Sequence, residues 1–456
     1  MNPVQHTTPF YWQGEWIDET EAEFRLADLG SILPSLPEAL APETVLAACG
    51  HLAARLADPS TPEYRQLHGD LTDPDTTALP AADADASLAQ LARALDPGLL
   101  AAQLTAELAS TDPCTPRAAS FADTALEMWQ PVGTLVHIVP SNVAVAGTLS
   151  AVEGLLAGNV NVVKTSGSDG LFTQRALAHL AAADPDGHIA GRLVVLRFPS
   201  RNVEWLKQLC LPADAIAVWG TEEAVAGVGR YAPSGCRLVE WGPKISLAYL
   251  DRTASISPAD LQGLARDIFR NGQRTCTSPQ VVYVDTADHA HLFRVAEALA
   301  GALADQASEF PAITPTLAEQ AEVTNVVTVA RLEESLGYTR TISATDGHWH
   351  VLADTRPGLC ASPLYSTIWV KPLPREDVLQ VLHPMRRFLQ TVGLAASEEQ
   401  TLPLAHAFFR AGALRVTPLG AMLDAYPGEP HDGQLALQRY SRRVSVAAPG
   451  ARQAGH

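Results

Sequence analysis

From Gly133 onward the chain alternates short β-rich runs with helical runs, and that alternation limits the fold more than any other property. GTLVHIVP (133–140), NVNVVKTS (159–166), RLVVLRFP (192–199), AIAVWG (215–220) and RLVEWG (237–242) read as strands. Helical patterns intervene over about 143–157, 169–182, 201–210 and 222–231. Strands that are apolar at nearly every position and joined by helices predict a parallel sheet buried on both faces. Such sheets bind ligands beyond the carboxyl ends of their strands. Pro140-Ser141-Asn142, Lys164-Thr165-Ser166 and Gly220-Thr221-Glu222 fall at those ends, a layout suited to a nucleotide.

A second α/β section runs from about Glu240 to Tyr426. In it, Leu261 to Phe269 reads as helix and QVVYVD (280–285) as strand, with Asn271-Gly272-Gln273-Arg274-Thr275-Cys276-Thr277-Ser278-Pro279 as the polar loop between them. A thiol in such a loop is placed to attack a carbonyl, whereas structural cysteines sit among apolar neighbours. A further helix is expected over about 288–305. Residues 1–120 read as helical, with amphipathic helices over Pro42–Asp58 and Ala86–Ala109 and a polar connector over Asp70–Asp83. SRRVSVAA (441–448) reads as a late strand that pairs with another subunit or with an edge of the body. The expected division is 1–120, a helical part of the cofactor lobe; 121–239, a nucleotide-binding core; 240–426, a catalytic lobe; and 427–456, an oligomerisation or edge-strand segment.

With 456 residues, 47% of them hydrophobic, the chain has material for a large core and more than one lobe. A formal net charge of −18 opposes binding to nucleic acid or to an anionic membrane surface. No apolar run is long enough to cross a bilayer, and the opening residues do not read as a secretory signal. The six cysteines are scattered, without a CxxC pair or metal-like spacing, so reduced thiols in a cytoplasm are expected and no metal site is assigned. His137, His383 and His406 have no partner spacing and read as packing or surface residues.

No strict G-x-G-x-x-G follows the first strand, and Gly227-Val228-Gly229 lies inside a helical run. A spaced set stands instead: Pro131-Val132-Gly133, Pro140-Ser141-Asn142-Val143, Gly154-Leu155-Leu156-Ala157-Gly158-Asn159, Val162-Val163-Lys164, Gly220-Thr221-Glu222, Glu240-Trp241-Gly242-Pro243-Lys244 and the Cys276 loop. In this order the set resembles the aldehyde dehydrogenase superfamily, and within it the long-chain fatty acyl-CoA reductase family of bacterial bioluminescence systems. The resemblance runs from about Trp129 to the C-terminus. It implies an aldehyde-dehydrogenase-like α/β fold: two Rossmann-type parallel-sheet lobes with a small oligomerisation element, in a chain that forms homo-oligomers.

The resemblance also implies roles. Cys276 would take the acyl group from acyl-CoA or an acyl-carrier thioester as an S-acyl-cysteine, and NADPH would supply the hydride that releases aldehyde. Asn142, with the backbone N–H of Cys276, would form the oxyanion hole. Glu240 matches the glutamate that oxidising relatives use as a base; in a reductase it would assist proton transfer or hold water away. Lys164 would reach the adenosine ribose, and Gly220 and Thr221 the pyrophosphate, with Pro140 and Ser141 beside them. Gly167 stands where NAD-preferring enzymes carry a glutamate, so Thr165, Ser166 and Ser168 would face a 2′-phosphate. Ser362–Ile368 replaces an E-x-F-G-P motif and has no carboxylate. His431-Asp432-Gly433 also resembles the reductases' C-terminal pattern, without an assigned role. Two other readings stay open: an NAD(P)+-dependent aldehyde dehydrogenase, and a non-catalytic acyl-holding subunit that works beside an acyl-transferring or acyl-activating enzyme.

Overall fold

The computed structural model describes residues 10–36, 40–119, 122–140, 144–166, 170–310, 312–426 and 428–447. The chain forms two compact units, Met1–Gly242 with Tyr426–His456, and Pro243–Ala425. Each is built on a seven-stranded sheet.

The first unit contains β1 (Phe10–Trp12), β2 (Glu15–Ile17), β3 (Arg117–Ala119), β4 (Ala122–Pro131), β5 (Thr134–Ile138), β6 (Val160–Thr165), β7 (Leu193–Arg197), β8 (Ala215–Trp219) and β9 (Arg237–Trp241). Its large sheet has the order β2-β1-β7-β6-β5-β8-β9, and β7 through β9 are parallel. Every residue of β5 and β6 is buried. Alternate residues point to opposite layers. Val163 and Val195 pack with the helices Pro42–Leu56, Ala144–Leu156 and Phe172–Ala182, while Val162 and Val194 pack with Glu19–Leu26 and Val203–Cys210. Each such valine, fully removed from water, contributes roughly 1.5–3 kcal/mol.

Three expectations for the N-terminal region change. The helix expected over 86–109 is two helices, Ala81–Ala94 and Pro97–Leu108. The break falls where Asp96 caps the second helix by accepting from Leu99 N at 2.9 Å and Pro97 opens it. The connector over 70–83 is shorter, because the helix Pro62–Thr72 carries Asp70 inward against Arg175. The region is also not all helical: β1 and β2 form a hairpin whose β1 pairs antiparallel with β7.

The second unit contains β10 (Ile245–Leu250), β11 (Pro279–Val284), β12 (Thr339–Ser343), β13 (His350–Asp354), β14 (Thr367–Pro372), β15 (Leu389–Ala395) and β16 (Arg415–Pro418). They lie in the order β12-β13-β14-β11-β10-β15-β16, with β12 antiparallel to β13 and the other pairs parallel. The helices Pro258–Phe269 and His289–Gln306 cover one face, and Leu317–Glu334 and Glu398–Ala411 the other.

After Tyr426 the chain returns to the first unit. The segment Ser441–Ala447 forms β17, antiparallel to β4, in a three-stranded sheet β17-β4-β3. Buried Tyr440 fastens this return: its carbonyl accepts from Asn159 Nδ2 at 2.9 Å and its hydroxyl meets Ser150 Oγ at 3.0 Å. Ser150 Oγ also meets His137 Nδ1 at 2.8 Å, and His137 Nε2 meets Asn161 Oδ1 at 3.0 Å. His137 is thus a packing histidine, and burial lowers its pKa to about 4. Gly154 is required beside this network, since a Cβ there would lie 1.8 Å from Asn161 Oδ1.

Candidate active site

In the first unit the expected cofactor residues gather at the carboxyl ends of parallel strands. Because β6 and β7 lie on one side of β5 and β8 and β9 on the other, the strand order reverses at β5, opening the crevice where such sheets take ligands. Pro140 follows β5, Lys164 and Thr165 end β6, and Gly220 and Thr221 follow β8. Lys164 is 3% exposed and its Nζ donates to Ser200 Oγ at 2.9 Å. The Thr165 hydroxyl accepts from Gln174 Nε2 at 3.2 Å and faces Leu196 O at 3.5 Å. Ser166 is half-buried just beyond.

The turn after β8 fits a phosphate-bearing ligand. Gly220 has φ +145°, and a Cβ there would lie 3.2 Å from Ala224 Cβ. Bare backbone therefore fronts the helix Glu222–Gly229, which Thr221 caps by accepting from Ala224 N at 3.3 Å. Glu222 and Glu223 on the first turn already answer part of that helix's positive end. The rings of Trp219 and Trp241 stack 5.2 Å apart beside this turn and take the His431 ring at 4.8 and 4.9 Å. His431-Asp432-Gly433 is therefore a turn, with Asp432 at φ +49°, whose histidine packs on the two tryptophans.

Glu240 lies on β9, exposed and opposite Val218 in register. Asn142, Ser141, Gly167 and Ser168 fall outside the described residues.

In the second unit, the helix before Cys276 starts with a capping box between Ser257 and Asp260 and buries Leu264, Ala265, Ile268 and Phe269. It ends in a left-handed run, Asn271 at φ +53°, Gly272 at +59° and Gln273 at +63°. A second such run comprises Leu364, Tyr365 and Ser366, at +65°, +51° and +56°. Tyr365 N donates to Gly272 O at 3.0 Å, joining the two. Burial raises the pKa of the Tyr365 hydroxyl to about 12, with Glu319 acting in the same direction. Five of the six residues are not glycine, at a cost of about 1–2 kcal/mol each. Strain of this kind persists where the surroundings over-determine it, which is typical of functional loops.

The loop then delivers Cys276, half-buried, three residues before β11. Ser246 Oγ donates to the Cys276 carbonyl at 2.6 Å and accepts from Thr391 N at 3.1 Å. Gln390 Nε2 donates to Cys276 Sγ at 3.4 Å. Gln273 Nε2 donates to Pro279 O at 2.7 Å, and Thr275 Oγ1 and Ser278 Oγ lie 2.6 Å apart. The other cysteines are placed differently. Cys49 and Cys210 are buried and their thiols pushed up to about 12, and burial also raises Cys114 and Cys236. Cys360 is exposed.

Ser246 and Gln390 were not singled out from the sequence. Each is a polar residue second in a mostly apolar strand, Gln390 with Thr391 beside it, a faint signal, and what brings them to Cys276 is the register. Between Ile245 and Leu247, β15 advances from Leu389 to Val392; between Ser246 and Leu247, β11 advances from Pro279 to Val281. Each neighbour thus carries one extra residue beside Ser246, a bulge that re-aims side chains.

Solved structures place this architecture among known folds. The chain superposes on the indole-3-acetaldehyde dehydrogenase AldA of P. syringae with a TM-score of 0.70 at 17% identity, covering 96% of this chain and 95% of that one. An oxidoreductase from Marinobacter aquaeolei matches at TM-score 0.74 and 15% identity, over 98% and 99% of the two chains. The fold is that of the aldehyde dehydrogenases. Within that class the chain belongs to the acyl-CoA reductase (LuxC) family, whose model matches residues 43–443. The long-chain acyl-protein thioester reductase of Vibrio harveyi is 27% identical over 323 residues, which is 70% of this chain and 65% of the relative. The chain thus covers just under two thirds of that relative's length.

Proposed function

We propose that the chain is an aldehyde-forming acyl thioester reductase that works through an S-acyl intermediate on Cys276. The observation that carries this reading is the clamp on Cys276, a half-buried thiol fixed at its carbonyl by Ser246 and at its sulfur by Gln390, in a member of the acyl-CoA reductase family. A thiolate attacks a thioester carbonyl readily, because the leaving group is itself a thiolate. Fatty acyl-CoA and a long-chain acyl protein are the donors to test, the latter being the substrate in the Vibrio relative's name.

A reduced nicotinamide dinucleotide, when bound, supplies the hydride. Lys164, Gly220 and Thr221 are the residues that would hold it, with Ser166 toward the ribose. NADPH is the preferred form in this reading, since the sequence has Gly167 where a carboxylate would repel a 2′-phosphate. Asn142 is assigned to the oxyanion hole, and Glu240 to proton transfer or the exclusion of water. The absence of a carboxylate from Ser362–Ile368 speaks for reduction over oxidation. A homo-oligomer in the cytoplasm, supplied by an acyl-transferring or acyl-activating enzyme, completes the proposal. Among the described residues no helix is long and apolar enough to cross a membrane.

The test follows reduced-nicotinamide absorbance with a panel of acyl-CoAs, wild type beside Cys276→Ala. Oxidation that needs both acyl-CoA and Cys276 and yields aldehyde supports the reading. Reduction of NAD(P)+ by aldehydes, with no acyl-CoA turnover, would replace it with the oxidising dehydrogenase. An acylated Cys276 with no redox chemistry in either direction would leave the acyl-holding subunit.

A further inference from the structure

Cys276 lies at the amino ends of the parallel strands β10, β11 and β15. The helix Pro258–Phe269 points its C-terminal end at the same loop. A helix C-terminus presents unpaired carbonyls equivalent to about half a negative charge, which disfavours an anion nearby. A donor aimed at the sulfur favours the thiolate in such a setting.

We infer that Gln390 is a positioning residue for Cys276, its side-chain amide donating to the sulfur and so holding it as the thiolate. Three observations converge on this. The Nε2–Sγ distance is 3.4 Å, and Gln390 is 5% exposed, so the donor side of the contact is shielded from water. The extra residue on β15 beside Ser246 falls within Gln390-Thr391, so the irregularity that turns Gln390 toward the sulfur is built into the sheet. Ser246 bonds the Cys276 carbonyl and Thr391 N together, tying the cysteine's backbone to the strand that carries the glutamine. A thiolate accepts hydrogen bonds and cannot donate, so it selects the orientation with the amide NH2 toward sulfur. Such a bond to an ionised acceptor is about twice as strong as a neutral one.

This rests on the reading of Cys276 as nucleophile, and it bears on two steps. In acylation the sulfur's electron pair forms the new S–C bond while the C–S bond to the donor breaks and that thiol leaves with its pair. A reduced dinucleotide would supply hydride to the acyl carbon, moving the C=O pair onto oxygen and leaving a thiohemiacetal oxyanion. The C=O then forms, and the C–S pair returns to Cys276. Gln390 favours the anion that starts the first step and leaves in the second.

The experiment measures the pH dependence of Cys276 alkylation by iodoacetamide, mapped by peptide mass, in wild type, Gln390→Leu and the isosteric Gln390→Glu. No acyl substrate is present, so the result is independent of whether acyl-CoA is reduced. In Gln390→Leu the alkylation midpoint is expected to move up by about one pH unit, a roughly tenfold loss of rate at neutral pH. In Gln390→Glu, which sets a carboxylate in place of the donor, it should move further. Circular dichroism checks folding, and Gln390→Glu alone decides the matter if Gln390→Leu does not fold. Unchanged midpoints in folded variants would overturn the inference, even with acyl-CoA reduction intact.

Discussion

The two seven-stranded sheets share a plan and use opposite ends of it. In each, the first parallel strand in sequence, β5 or β10, lies inside the sheet, and later strands add on both sides. In the first unit the candidate ligand residues end or follow strands, at the carboxyl ends of β5, β6 and β8. In the second, Cys276, Ser246 and Gln390 precede or open strands, at the amino ends of β11, β10 and β15. Carboxyl ends face helix N-termini, whose N–H groups suit phosphate without special side chains. Amino ends face helix C-termini, so an anion there depends on individually placed donors. The first arrangement tolerates changes of side chain. The second concentrates its chemistry in a few residues and a strained loop.

The sharpest probe of this contrast is Cys276→Ala. It should lower acyl-CoA-dependent oxidation of NADPH by roughly 10³-fold or more, as loss of a covalent nucleophile does, and abolish the acyl mass increment on the protein. Dinucleotide affinity measured by fluorescence titration should stay within about twofold; a large loss there would break the separation of roles.

Gly220→Val tests the other sheet. A β-branched residue is strained at φ +145° and obstructs the backbone before the Thr221-capped helix, so NADPH affinity should fall by roughly ten- to a hundredfold. The iodoacetamide profile of Cys276 should not move with it. Lys164→Met should have a smaller effect, roughly threefold to tenfold on NADPH affinity, as expected for one charged contact. The same titration with NADH shows whether Lys164 reads the ribose hydroxyls or a 2′-phosphate. An equal loss for both cofactors favours the hydroxyls, and a loss confined to NADPH the phosphate.

The smallest expected effect concerns stability. Asp267, on the helix that leads into the Cys276 loop, is fully buried and accepts from Gly420 N at 2.6 Å and Met422 N at 3.3 Å. Burial raises its pKa from 3.8 to about 7, outweighing those bonds. Its folded pKa exceeds the unfolded value, so below about pH 4 it is protonated in both states and has no effect. As pH rises from 4 toward 7 the folded state must hold its proton or bury a charge, and stability falls. Asp267→Asn should remove this slope from urea-denaturation midpoints measured across pH 4 to 8. A slope unchanged by the substitution would show that the carboxyl ionises freely.

Much of the fold was legible because strands buried on both faces are largely apolar: Leu193–Arg197 and Ala215–Trp219 announce themselves. The hairpin Phe10–Ile17 did not, since three-residue strands are too short for a period to register, and its partner β7 lies far along the chain. The break at Asp96-Pro97 was written in capping chemistry, but a continuous Ala/Leu rhythm ran across it. Cys276 stood out by its polar loop. Gln390 could not, because its proximity comes from an extra residue in one strand measured against another, and no local pattern encodes a register.

The pairing of β17 with β4 has a consequence for biosynthesis. Because Pro243–Ala425 is spelled out between the two parts of the first unit, a nascent chain leaves the ribosome with β4 still lacking that neighbour, and Ser150 and Asn159 still waiting for Tyr440. Only after the second unit has been made and Tyr440 has followed it can the first unit close. A translation pause or a premature stop downstream of Ala425 therefore damages the half of the molecule that was made first.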